Sequence, residues 1–145
     1  MRSGPWEHTK IRVSKTDPRA AQVLDREINT VLGRFKNLGE VNAPASVVGR
    51  SGVRHDFSFA IDKKKELGIV GDVILGEDEK DETKVLSLFI KFYDVGARRA
   101  ILCVTPRLTP EAARLARFYN ILTIETADAK LVPRMLEDLL RSLAR

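Results

Sequence analysis

Residues 99–105 read RAILCVT, with no polar side chain between Ala100 and Val104. A strand points successive side chains to opposite faces of its sheet, so a strand apolar on both faces must be covered on both. This run therefore belongs in the middle of a sheet, with helices as the cover. The chain after it fits that frame. Thr109-Pro110-Glu111 carries the cap, proline and acid of a helix start, and Ala113, Leu115, Ala116 and Phe118 supply apolar positions up to Asn120. Residues 121–125 read as another strand, and 130–143 as a last helix burying Leu131, Met135, Leu136, Leu139, Leu140 and Leu143, with Pro133 tolerated in its first turn. Strand, helix, strand, helix implies parallel neighbours joined by right-handed crossovers.

The first half is organised differently. Residues 1–16 form a polar N-terminal extension in which Ile11-Arg12-Val13 has the makings of a short edge strand. Asp17-Pro18 then caps a helix with apolar steps at Ala21, Leu24, Ile28, Val31, Leu32 and Phe35, expected to end at Gly39. Arg19, Arg26, Arg34 and Lys36 line its outer face, which suits plain solvation as well as phosphate contact. Residues 42–45 read as a loop leading to Gly49-Arg50-Ser51-Gly52-Val53-Arg54, where two glycines permit close backbone approach and two arginines can hold phosphate. A glycine turn before a strand also needs no ligand, and the Gly-Lys-Ser/Thr ending of a P-loop is missing.

Residues 55–62 alternate, with His55, Phe57, Phe59 and Ile61 on one face and Asp56, Ser58, Ala60 and Asp62 on the other, which predicts a single strand. Residues 67–75 predict its hairpin partner across a polar turn at 62–66, so that Asp56 and Asp72 stand on neighbouring strands. Such a carboxylate pair suits a hard divalent cation. After the acidic loop at 76–81, the helix at 82–95 has two apolar stripes, one with Val85, Leu88, Phe89, Phe92 and Val95, the other with Leu86, Ile90 and Tyr93. A helix apolar on two sides is expected to be covered on both, by the sheet and by a second helix or subunit. Gly96 closes it.

The predicted order is α-β-β-α-β-α-β-α, an α/β domain over 17–145 with a mixed central sheet flanked by helices. A chain of 145 residues suits one such core. Its net charge of +5 favours an anionic partner such as nucleic acid, although abundant Arg, Lys and Glu with Gln22 as the sole glutamine also serve stability. Cys103, inside the apolar run, reads as a small buried hydrophobe. No apolar run approaches the roughly 18 residues of a membrane span, and the first residues lack the apolar core of a secretory signal, so the expectation is a cytoplasmic protein without a membrane partner.

The order of elements, with GRSGVRH at 49–55, KFYDVGA at 91–97 and ILCVTP at 101–106, resembles the restriction-endonuclease-like PD-(D/E)XK superfamily, in particular archaeal relatives of the Mrr and Holliday-junction-resolvase types. The resemblance implies a restriction-endonuclease-like core and a site in which Asp56 and Asp72 hold Mg²⁺ beside a lysine. Ile74 stands where that lysine belongs, and Lys91, or Lys84, on the next helix is the available substitute. DNA is the implied partner, with Arg50 and Arg54 as phosphate contacts. Three readings follow: a DNA-binding protein that keeps the nuclease fold with a degraded site, an active Mg²⁺-dependent DNA endonuclease with a migrated lysine, or a dimeric assembly module joined through 82–95. Each residue also has a structural use. Asp72 can satisfy amides at a strand end, Asp56 can pair with Arg54, His55 can pack on the phenylalanines, and Lys91 can snorkel to water. The sequence shows no basic track interleaved with aromatics and no helix suited to reading a groove.

Overall fold

A computed structural model of the chain describes residues 18–63 and 66–144. In chain order they form α1 (Pro18–Gly33), β1 (Glu40–Asn42), β2 (Ala45–Val48), β3 (Arg54–Phe57), β4 (Phe59–Lys63), β5 (Glu66–Ile74), α2 (Glu82–Val95), β6 (Arg99–Val104), α3 (Pro110–Phe118), β7 (Leu122–Glu125) and α4 (Val132–Leu143). Short 3-10 turns lie at Lys36–Leu38 and Ala129–Leu131.

The central sheet has the order β1-β4-β5-β6-β7, and its first three strands are antiparallel while β5, β6 and β7 run parallel. β6 occupies the interior, as its apolar run requires. Ile101 and Cys103 face a core built with α1 and α4, whereas Ala100, Leu102 and Val104 face one built with α2 and α3. The fold is thus a mixed sheet between two helical layers. Each fully buried Leu, Ile, Val or Phe contributes about 1.5–3 kcal/mol relative to exposure, and both layers supply them: Leu32, Leu136 and Leu140 on one side, Val85 and Leu88 on the other. The Asp81 side chain accepts from Thr83 N and that of Thr109 from Ala112 N, capping α2 and α3. Gly96, at φ 73°, ends α2 in the left-handed conformation. Among the described residues no helix is long and apolar enough to cross a membrane.

Four expectations need correction. The first helix stops at Gly33 rather than Gly39, consistent with the poor helix propensity of glycine; Phe35 stays buried beyond it. Residues 42–45 are not simply a loop, because β1 supplies the sheet edge and β2 pairs with β3 in a separate two-stranded sheet. The predicted strand at 55–62 is two strands. β3 leaves with β2, β4 stays with β1 and β5, and the change at Ser58 sends Phe57 to the α2–α3 core and Phe59 to the α1–α4 core. Last, α2 packs on the sheet and on α3, but its second stripe is not covered, since Ile90 and Tyr93 remain 61% and 68% exposed. Asp17 and the segment at 11–13 lie outside the described residues.

Gly71 stands opposite Phe59 where β4 meets β5. A Cβ there would fall 2.2–2.9 Å from three atoms of the Phe59 ring, and Phe59 is fully buried and has no way out. Gly71→Ala is expected to cost about 1–3 kcal/mol in urea unfolding at unchanged m-value. Phe59→Leu should cost less in that background than in the native chain, and strictly additive losses would show that the clash is relieved elsewhere.

Candidate functional site

The site begins where β3 parts from β4. Pairing of β4 with β5 stops at Phe59–Gly71, and side chains take over the next hydrogen bonds. Ser58 N donates to Asp72 Oδ1 at 3.1 Å, and Val73 N donates to Ser58 Oγ at 2.9 Å. Asp72 therefore has the amide-satisfying role that its place after Gly71 allowed. Strand alternation puts it on the same face as Val70 and Ile74, toward α2.

Lys91 meets it there. Its ammonium donates to Asp72 Oδ2 at 2.7 Å and to the Asp56 carbonyl oxygen at 2.7 Å, and it lies 4.8 Å from the centroid of the Phe57 ring. Lys91 points inward rather than snorkelling, with little of its side chain exposed. The charge-assisted bond, the carbonyl and the aromatic face together compensate an ammonium drawn out of water. Removing one partner of such a pair costs about 3–5 kcal/mol, because the other charge stays buried alone.

Asp56, Asp72 and Lys91 line one cleft of about 650 Å³, with Arg54, His55 and Lys84 also in its walls. Asp56 is half-buried. Arg54 does not pair with it; its guanidinium donates to Ser46 Oγ at 3.2 Å. Ile74 forms part of the wall, so the cleft's inner cation comes from α2 and not from β5. Arg50 lies elsewhere: its guanidinium rests against Gly96 and 6.0 Å over the Tyr93 ring. Among the described residues no three His, Cys, Asp or Glu side chains gather as a metal set. Behind Asp72, the fully buried Cys103 thiol is pushed up to about 12, first by burial and then by the Asp72 charge.

Asp94 is a functional-looking residue that the sequence reading passed over. It gathers the glycine turn at 49–53 onto the end of α2. Ser51 donates to its carboxylate through N at 3.0 Å and through Oγ at 2.6 Å, and His55 Nε2 lies 2.7 Å from Oδ2. Arg50 N donates to its carbonyl oxygen at 2.9 Å. His55 is thus tied to an acid rather than packed among phenylalanines. A Cβ at residue 49 would fall 1.9 Å from Asp94 Oδ2, which is why glycine stands there. The Ser51 hydroxyl, and next His55, hold the Asp94 carboxyl below its ordinary value of 3.8. A carboxyl depressed in the folded state stabilises above its unfolded pKa and loses that contribution as pH falls through the folded one. The stability gap between the native chain and Asp94→Asn should accordingly be full at about pH 5 and shrink toward about pH 3 in urea unfolding. A gap that stays constant over that range would mean that the carboxylate charge is not what ties the turn.

No protein-family model and no curated protein matches the chain. Its fold is similar to that of AF1548, a protein of unknown function, with a TM-score of 0.55 and 13% identity over 68% of this chain and 55% of that one. It is also similar to VC1899 from Vibrio cholerae, with a TM-score of 0.54 and 14% identity over 88% of this chain and 35% of that one. The chain spans about half the length of the first and about a third of the second. The likeness is one of fold.

Proposed function

We propose that the chain is a metal-dependent DNA endonuclease with a restriction-endonuclease-like core, whose lysine is delivered by α2 in place of the residue at Ile74. One observation carries this reading: the Lys91 ammonium sits 2.7 Å from Asp72 in the cleft that Asp56 also lines. The mixed sheet, with its acids on β3 and β5, supports the same ancestry. Mg²⁺ is the ion such a pair of carboxylates suits, since it binds through one or two of them and keeps several waters. Asp56 and Asp72 would hold it. When bound, such an ion polarises a phosphoryl oxygen and lowers the pKa of a coordinated water.

The chain's own residues do the rest. Lys91, anchored by the Asp56 carbonyl as well as by Asp72, keeps a fixed positive charge beside the place where a scissile phosphate gains negative charge. Arg54 and Lys84, both exposed on the cleft walls, suit the flanking phosphates. A second reading, DNA binding through a degraded site, is favoured by the apolar Ile74 and by the engagement of both Asp72 oxygens with donors of the chain itself.

Linear, circular and branched DNA incubated with the full chain and Mg²⁺ or Mn²⁺ separates the two. Cleavage is expected, and Asp56→Asn should slow it by about 100-fold or more without lowering the urea midpoint, since its carboxylate is outside the Lys91–Asp72 pair. Lys91→Ala should abolish cleavage and also destabilise by about 3–5 kcal/mol, so its activity is read on the folded fraction. Uncut DNA of every form, with binding that weakens steeply as salt rises, leaves the degraded site. No binding even at low salt ends both readings.

A further inference from the structure

α2 and α3 connect parallel strands of one sheet and therefore lie side by side with the same direction. Glu82 and Leu86 of α2 share a groove with Glu111, Leu115 and Phe118 of α3, and Phe89 stacks on Tyr119 at 3.9 Å where α3 ends. The outer surface of this pair is apolar along its middle. Leu86, Ile90 and Tyr93 follow one another at helical spacing and are 38%, 61% and 68% exposed, and Phe118 on α3 is 77% exposed. An aromatic side chain can bury about 150–250 Å², so Tyr93 and Phe118 leave most of that contribution unused. A standard interface takes roughly 800 Å² from each partner, a little over half of it apolar. These two rings with Ile90 and part of Leu86 supply most of that apolar share from one face.

We infer that this two-helix face is the seam of a homodimer, with a second copy of the chain lying antiparallel across it. Charge selects that occupant. Glu82 and Glu111 stand in the first turns of α2 and α3, and Arg114 in the same groove offsets only part of their charge. At the other end, Arg117 stands in the last turn of α3 and Arg50 lies 6.0 Å over the Tyr93 ring. Asp94, the acid at that end, is engaged by Ser51 and His55. The face is thus acidic at one end, apolar in the middle and basic at the other. A two-fold axis across the helices sets each acidic end against the basic end of the other copy, and it opposes the helix dipoles as well. A parallel copy would bring like charges together. Complementarity to itself after a half-turn is what an isologous contact requires, and a partner of unrelated chemistry has no need of it. The inference does not rest on the nuclease reading, because α2 turns Lys91 to the cleft and leaves Ile90 and Tyr93 in solvent.

Sedimentation velocity of the full chain over a range of concentrations is expected to show a dimer. Ile90→Glu and Phe118→Ala, each acting twice in a symmetric seam, are expected to raise its dissociation constant roughly 30-fold or more with an unchanged far-UV circular dichroism spectrum. The direction of the second copy is read with single introduced cysteines, since the native Cys103 is buried. Ile90→Cys, near the middle of the seam, should form a disulfide between copies under mild oxidation, and Glu82→Cys, at one end, should not. A chain that stays monomeric at every concentration overturns the inference and leaves the face to a different partner. A dimer that both Ile90→Glu and Phe118→Ala leave intact overturns it too, by placing the seam elsewhere. Cross-linking through Glu82→Cys in place of Ile90→Cys makes the seam parallel and overturns the charge argument. None of these measurements involves DNA or a metal ion, so their failure leaves the nuclease reading standing, and uncut DNA leaves the dimer standing.

Discussion

The exchange between Ser58 and the Asp72–Val73 pair is the join on which the rest of the structure depends. A strand that runs on from β4 would keep pairing with β5 and seal its last residues inside a flat sheet. The Ser58 amide and hydroxyl instead bond to Asp72 and Val73, so the chain leaves the sheet with its backbone groups still satisfied. The departing β3 then forms one wall of a cleft and β5 another. The carboxylate that seals the seam is the same one that faces Lys91, so the structural and chemical uses of Asp72 are two aspects of one geometry.

α2 separates two environments by rotation alone. Successive residues on a helix are turned by about 100°, so Lys91 reaches the cleft while its neighbour Ile90 stands in solvent. At its end, Asp94 ties the glycine turn to the same helix. One wall of the cleft and the rings of Phe89 and Tyr93 outside it are therefore carried on one element, whose cap and left-handed Gly96 are fixed locally. Motion of α2 relative to the sheet would alter the Lys91–Asp72 contact and the position of Arg50 together.

Elements with a strong period were legible in the sequence: β6 from its unbroken apolar run, α2 and α3 from their caps and spacing, and the β4–β5 hairpin from its polar turn. β1 and β2 were not, because strands of three and four residues are too short to display a period. The alternation at 55–62 misled for a subtler reason. Phe57 and Phe59 are both fully buried, but in different cores, and only the pairing of β3 with β2 reveals the change of face at Ser58. Among site residues, Asp72 was visible as a lone acid in an apolar strand and Lys91 as a cation beside two apolar stripes. Arg50 was grouped with Arg54 by nearness in sequence, yet the turn sends them to different places. The Ser51–Asp94 tie spans 43 positions and the stack of Phe89 on Tyr119 joins α2 to the turn after α3, distances at which no local pattern operates.

The burial of Cys103 has a practical consequence. It is the chain's sole thiol, sealed in the sheet and held at about 12, so alkylating reagents at neutral pH meet almost no thiolate on the folded protein. A cysteine introduced at an exposed position would then be the one reactive handle, and a fluorophore or spin probe could be attached at a single chosen point without first stripping out a native competitor.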